Sequence, residues 1–229
     1  MRENFQRRSF AMSEVTMREI KCVDYEVETH PFEPFIDEKT RVLIVGTFPP
    51  RRFAVNDLDQ KDVNWFYGSK DNAFWDLLGE VLGQEFSKDV VARKEQCEKL
   101  EIGFVDLFYK VERYDRDWST DDAIHPLKIR SLSYIIENNP QIKGILFTST
   151  LTEKIAKKEY LKENRQKLLD EKKPTSYVGG GIFCRFQGTK EPVKILTLPS
   201  PSPMNTDDFK SKKEKWQEIF SEMGIQIKD

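Results

Sequence analysis

The hydrophobic positions of this chain change their spacing several times. Arg41 to Val45 is a short, β-branched apolar run, the mark of a strand buried on both faces of a parallel sheet. Ile102 to Leu107, Ile142 to Phe147 and Val193 to Leu198 read as three more strands. Between them the spacing becomes helical. Phe74, Leu77, Leu78, Val81 and Leu82 recur at three-four intervals, with Asp71 or Asn72 placed to cap the start and Gly83 to end it. Lys88 to Leu100 reads as a more polar helix with Val90, Val91, Ala92 and Cys97 inward. Leu127 to Asn138 is expected to be a helix facing Leu132, Ile135 and Ile136 inward and stopped by Pro140. Thr152 to Lys173 reads as a long charged helix whose buried stripe is Ile155, Tyr160, Leu161, Leu168 and Leu169. In the last helix, Phe209 to Met223, one face carries Trp216, Ile219, Phe220 and Met223.

The remaining segments read as irregular. Asp24 to Pro34 is extended, broken by Pro31 and Pro34, and expected to lie across the surface, with His30 exposed. Pro49 to Asn64 is a long polar loop of the kind that often carries function. Tyr109 to His125 reads as a loop rich in Asp and Arg, and Ser176 to Phe186 flanks a Gly179-Gly180-Gly181 turn. Residues 1–20 read as a tail, and 21–229, with no repeat or composition shift, as one domain. The alternation of strand and helix predicts an α/β fold, a three-layer αβα sandwich with a central, mostly parallel four-stranded sheet. Ligands of such sheets bind at the carboxyl ends of the strands. The segments Gly46 to Pro50, Tyr109 to Trp118, Thr148 to Thr150 and Leu198 to Asn205 are therefore expected to converge on one edge.

Composition narrows the classes. A charged fraction of 33% and a mean hydropathy of −0.63 describe a soluble chain, and no apolar run approaches the length that crosses a bilayer. The first twenty residues show no secretory pattern, so a cytoplasmic location is expected. Cys22, Cys97 and Cys184 are odd in number and far apart, which argues against a disulfide framework and excludes a four-cysteine cluster within one chain. His30 and His125 are the only histidines, so a His-rich zinc site is not expected either, and no metal or cofactor is implied. The net charge of −2 and pI near 5.9 argue against whole-surface attraction to nucleic acid but leave room for a local basic groove.

Chemistry concentrates in two proline-punctuated strand ends, Gly46-Thr47-Phe48-Pro49-Pro50 and Leu198-Pro199-Ser200-Pro201-Ser202-Pro203, and in the aromatic block Phe66-Tyr67-Gly68-Ser69-Lys70-Asp71-Asn72-Ala73-Phe74-Trp75. Rigid tips with hydroxyls beside aromatics suit a site that grips a flat ring and a phosphate backbone. These three blocks, in this order, resemble the uracil-DNA glycosylase superfamily, in particular its mismatch-specific and hypoxanthine-DNA glycosylase branches. The first resembles a Gly-x-(Asp/Asn/Met)-Pro strand end. The second resembles an aromatic-Ala-His-Pro-x-Asn-x-Phe-Trp block, and the third, extended through Met204 and Asn205, a Pro-Ser loop that pinches DNA. Ser119 to Ile124 adds a weaker match to a Ser-x-Asp-Ser-x-Ile patch.

The resemblance implies a monomeric DNA-repair glycosylase that hydrolyses the N-glycosidic bond of a deaminated or damaged base, uracil or hypoxanthine, flipped out of DNA. It implies a catalytic Asn72, orienting water or holding the sugar, although Asn is also a good helix cap. Gly46, Thr47 and Phe48 would line the base site. Tyr67 would stack on the base or else be a core aromatic, and Asp106 would read a base edge or else cap a turn. Arg51, beside Arg52, would meet phosphate. The hydroxyls of Ser200 and Ser202 and nearby backbone N–H groups would do the same along a loop stiffened by Pro201 and Pro203. Pro203 and Met204 would wedge the base stack, and Pro201 and Asn205 of the same loop would also contact DNA. Asp121 would assist catalysis or orient Arg113 or Arg116. Two departures stand out. Phe48 replaces the water-activating Asp or Asn of many members, and Leu198 stands where some relatives have a His. A nucleic-acid-binding protein without chemistry and a hydrolase of free nucleosides are the alternatives.

Overall fold

The alternating side chains of one strand explain the layers. In β2 (Val42–Gly46) Val42 and Ile44 pack toward one face, and Leu43 and Val45 toward the other; all are buried. A computed structural model describes residues 26–114, 124–163, 175–178, 181–184, 186 and 188–225 of the chain. The expectations for the tail at 1–20, for Asp121 and for Arg116 fall outside those residues.

β2 lies between β3 (Ile102–Asp106) and β6 (Gly144–Phe147), and β9 (Val193–Thr197) follows β6, all four parallel. The four expected strands and their direction are therefore present. The sheet is wider than four: β8 (Gly181–Cys184) and β7 (Thr175–Val178) extend it antiparallel, in the order β3-β2-β6-β9-β8-β7. One face is covered by α2 (Phe74–Leu82), α3 (Val90–Lys99) and α6 (Phe209–Glu222), where Phe74, Leu78, Trp216 and Phe220 close over Ile44, Phe104 and Leu146. Each such side chain contributes roughly 1.5–3 kcal/mol by leaving water. The other face is covered by α4 (Leu132–Asn138) and α5 (Thr150–Glu163).

That second face holds an element the hydropathy pattern does not predict. β4 (Phe108–Arg113) and β5 (Ile124–Ile129) pair antiparallel, and β1 (Glu26–Thr29) adds to β4. The expected loop from Tyr109 is thus a strand as far as Arg113, and the expected helix from Leu127 begins only at Leu132. Phe108 and Val111 are both buried and Lys110 between them is exposed; a register shift between Phe108 and Val111 interrupts the two-residue alternation that would mark the strand in the sequence. Val91, expected inward, is 65% exposed; Arg93 takes its place, its guanidinium 4.4 Å above the Trp75 ring. Among the described residues no helix is long and apolar enough to cross a membrane.

Candidate active site

The floor of the site is made by the register of two strands. Gly46 ends β2 directly beside Asp106, which ends β3. A Cβ on Gly46 would stand 2.2 Å from Asp106 Oδ1 and 2.5 Å from Tyr67 Oη, so only glycine lets the carboxylate and the phenol close over this strand end. Asp106 is almost fully buried, and its Oδ2 lies 2.9 Å from Nε2 of His30. His30 was expected at the surface. It is instead buried, because the β1–β4 pairing carries the chain inward, where the His30 N–H donates to Tyr109 O at 2.8 Å. The rings of Phe32, Phe48 and Phe66 surround the imidazole with centroids 5.7, 5.4 and 5.8 Å away.

Aromatic walls rise from this floor. A narrow cavity of about 60 Å³ is lined by Phe48, Phe53, Trp65, Phe66, Tyr67, Asn72 and Asp106 among others. Tyr67 stacks one ring face on Phe74 at 4.1 Å and holds a positive φ of 54°, an uncommon conformation for a bulky residue. Asn72 precedes α2 and its Oδ1 accepts the Phe74 N–H at 2.9 Å. That bond fixes the amide, and a second lone pair on Oδ1 and the NH2 group remain as its chemical capacity. Gly46 and Thr47, expected as base contacts, line neither this cavity nor its neighbour; Thr47 O accepts the Phe108 N–H.

A larger groove of about 900 Å³ adjoins the cavity and shares Phe48, Pro50, Ser69 and Asn72 with it. Its far wall is the loop after β9, from Ser200 through Ser202, Pro203, Met204 and Asn205 to Asp207. Pro201 differs from its expected role: it is buried, and its carbonyl accepts the Ala73 N–H at 3.2 Å, tying this loop to the start of α2. The backbone N–H groups of Ser202 and Met204 are already bonded to the Ser200 and Ser202 hydroxyl oxygens, each at 3.3 Å. Those two are not free for phosphate, whereas the Ser200 and Ser202 hydroxyls, having accepted, still each have a hydrogen to donate. Met204 is 70% exposed, and Leu151, at the head of α5, lines the same groove.

The two arginines after Pro50 part company. They belong to α1 (Arg51–Ala54), inside the expected long loop, and adjacent helical side chains diverge by about 100°. Arg51 grips Glu26 with two hydrogen bonds, at 2.7 and 2.8 Å, and lines neither cavity. Arg52 lines the groove. It donates to both oxygens of Asp62 and, at 2.6 Å, to Ser69 Oγ. Burial pushes the Asp62 carboxyl up, but the hydrogen bonds from Arg52 and from the Lys70 and Asp59 N–H groups outweigh it and hold it below its ordinary value of 3.8. A carboxyl depressed in the folded state stabilises above its unfolded pKa and loses that stabilisation as pH falls through the folded one. Asp62→Asn is therefore expected to cost about 1–3 kcal/mol near neutral pH, and the gap from wild type to shrink below about pH 4. Urea unfolding of both proteins across that range measures it.

His30, Phe53 and Leu151 are among the site residues that sequence reasoning did not nominate. A lone His before a proline carries no signal of its own. Leu151 does carry one, since it falls off the inward stripe of Thr152, Ile155 and Ala156. Elsewhere, burial pushes the Cys97 thiol up to about 12, so it is no nucleophile. Among the described residues no group of three His, Cys, Asp or Glu side chains is placed to hold a metal ion.

Comparison with known proteins places this geometry. No family model matches the chain. A solution NMR structure of a candidate uracil DNA glycosylase from Methanosarcina acetivorans superposes with a TM-score of 0.55 at 21% identity, covering 87% of this chain and 99% of that one, a likeness of fold. A hypoxanthine DNA glycosylase from Methanosarcina acetivorans is 28% identical over 117 residues, 51% of this chain and 68% of that protein. Its counterpart from Methanosarcina barkeri is 31% identical over 117 residues, with the same 51% and 68% coverage. With that identity and coverage, and with the two strand-end blocks and the aromatic block gathered on one edge of a parallel sheet, the chain belongs to the hypoxanthine-DNA glycosylase family.

Proposed function

We propose that this chain excises hypoxanthine, and with it uracil, from DNA, working as a monomer through the single domain of residues 21–229. The observation that carries this reading is the Asp106 carboxylate on the floor of an aromatic-walled cavity. Deamination turns the bare N1 of adenine into the N1–H of hypoxanthine, and the bare N3 of cytosine into the N3–H of uracil. A carboxylate accepts from such an N–H and repels the lone pair of the parent base. Phe48 and Tyr67 supply flat apolar surfaces for the flipped ring. A cavity of about 60 Å³ is too small for a purine, so binding must move side chains at its mouth, and Phe48 stands where cavity and groove join.

The chemistry asks little of the protein beyond position and charge. The bond from C1′ to the base nitrogen breaks with its electron pair leaving on the base. Water then bonds to C1′, giving one proton to solvent while the base takes one up. Asn72, locked at the head of α2, lies between cavity and groove and is placed to hold that water or the sugar. The strained backbone of Tyr67 fits the same reading, since such strain collects where a side chain must be aimed. The Ser200 and Ser202 hydroxyls and Arg52 face the phosphates, and Pro203, Met204 and Leu151 flank the vacated stack.

The test is a panel of oligonucleotides carrying hypoxanthine, uracil or an alkylated base, incubated with the protein and cleaved by alkali at abasic sites. Strand breaks at hypoxanthine are expected, with uracil second. No break at any of the three overturns the reading, and salt-sensitive binding without breaks would select the silent binding protein instead.

A further inference from the structure

The second buried group of the floor has no part in that chemistry. His30 lines neither the cavity nor the groove, yet its side chain is wholly buried. A buried imidazole inside a ring of phenylalanines is costly unless its nitrogens are bonded. Both are. Nδ1 lies 3.0 Å from the Phe32 N–H and 2.8 Å from Phe32 O. Nε2 meets Asp106 Oδ2 at 2.9 Å; opposite the carboxylate that the proposed base contact requires, the tautomer with Nε2–H donates here while Nδ1 accepts the Phe32 N–H. Arg130 braces the same corner, donating to Phe32 O at 3.0 Å and reaching the Asp106 carbonyl at 3.5 Å.

We infer that His30 is a positioning residue for Asp106. Resting on the reading that Asp106 receives the base, it sets which carboxylate oxygen the base meets. A carboxylate without a partner turns about its own bond and presents either oxygen or both. Two free oxygens side by side also accept from the exocyclic amine of adenine or cytosine. Here Nε2–H occupies Oδ2, while Oδ1 lies in the space that a side chain on Gly46 would fill, so the hydrogen bond to His30 is what fixes the group's rotation. One oriented oxygen is left for the single N–H that deamination creates. His30 and Asp106 stand 76 residues apart and meet because β1 pairs with β4, which follows β3 directly, and because the Phe35–Phe104 bridge holds the residues after His30 against β3.

The experiment compares wild type, His30→Gln, His30→Leu, Asp106→Asn and the His30→Leu/Asp106→Asn double variant. Three readouts are taken on full-length protein: single-turnover release of hypoxanthine, affinity for undamaged duplex, and melting temperature. His30→Leu is expected to slow release by about 10- to 100-fold, the worth of one hydrogen bond to a charged group, with duplex affinity unchanged. His30→Gln, whose amide N–H reaches the same place, is expected to restore most of the rate, and the double variant to be no slower than Asp106→Asn. If the two losses multiply instead, or if His30→Gln is as slow as His30→Leu at equal folded fraction, the inference is overturned. Should wild type release no base, the proposed function fails separately. The positioning claim is then read from the His30 Nε2–H resonance, expected downfield and displaced by Asp106→Asn. An imidazole signal that ignores Asp106→Asn overturns it too.

Discussion

Asn72→Ala is expected to lower single-turnover base release by about two to three orders of magnitude, the usual cost of removing one preorganised polar group from a reacting centre. It is expected to lower stability by only about 0.5–2 kcal/mol, the cost of a helix cap. The two effects have different origins in one amide. Oδ1 accepts the Phe74 N–H at 2.9 Å, which supports the first turn of α2. Asn72 borders both the cavity and the groove, and its remaining lone pair and NH2 group are not used by that bond. Asn72→Asp separates the roles. A carboxylate caps as well as an amide and suits the positive end of the helix, so stability should hold or rise. The NH2 donor, however, becomes an anionic oxygen, and whatever that donor held is lost. Release by Asn72→Asp should therefore fall well below wild type while its melting temperature does not. If Asn72→Ala loses only the activity that its unfolded fraction explains, Asn72 is a cap and no more.

The parallel strands and five of the six helices were legible because their signals are local. A fully buried strand is a short unbroken apolar run, and an amphipathic helix repeats its stripe. β4 and β5 were not legible because each buries one face and shows Lys110, Glu112 or Lys128 on the other, which looks like a polar loop. The site divides in the same way. Phe48, Tyr67, Asn72 and the Ser200 to Asn205 loop come from contiguous blocks, and the fold brings them to one edge. What their neighbours do is decided by partners distant in sequence. Arg51 and Arg52 are chemically alike, but Glu26 meets the first and Asp62 the second, so only Arg52 reaches the groove. Pro201 sits inside a Ser-Pro run that reads as one surface, yet its carbonyl is needed by Ala73. His30 has no neighbour in sequence that predicts Asp106, since the pairing depends on strands that were themselves hidden.

Gly68→Ala is expected to be the most damaging glycine-to-alanine change among the described residues, costing about 3 kcal/mol or more and lowering the melting temperature by about 6–12 °C. A Cβ at Gly68 would stand 1.8 Å from Val63 O, 2.8 Å from Val63 C and 2.9 Å from Trp65 O. All three are backbone atoms, so no rotamer change relieves the clash. The backbone is also hard to move. The Val63 N–H donates to Gly68 O at 2.8 Å, the Gly68 N–H donates to Trp65 O at 3.0 Å, and Trp65 and Phe66 between them are buried in the core. Gly224→Ala is the control: it has a positive φ of 76° but nothing within 4 Å of the added carbon, so it should cost only about 1 kcal/mol. Calorimetric melting of the two variants against wild type makes the comparison, and equal melting of Gly68→Ala and Gly224→Ala would mean that this turn is not packed as described. The functional consequence should exceed the thermodynamic one. Gly68 follows Tyr67, whose φ of 54° is held by the same turn, and precedes Ser69, which Arg52 ties to Asp62. Any relaxation that admits the extra methyl must re-aim Tyr67 and shift Asn72. Base release per folded molecule should therefore fall as well, by more than the lost stability alone can account for.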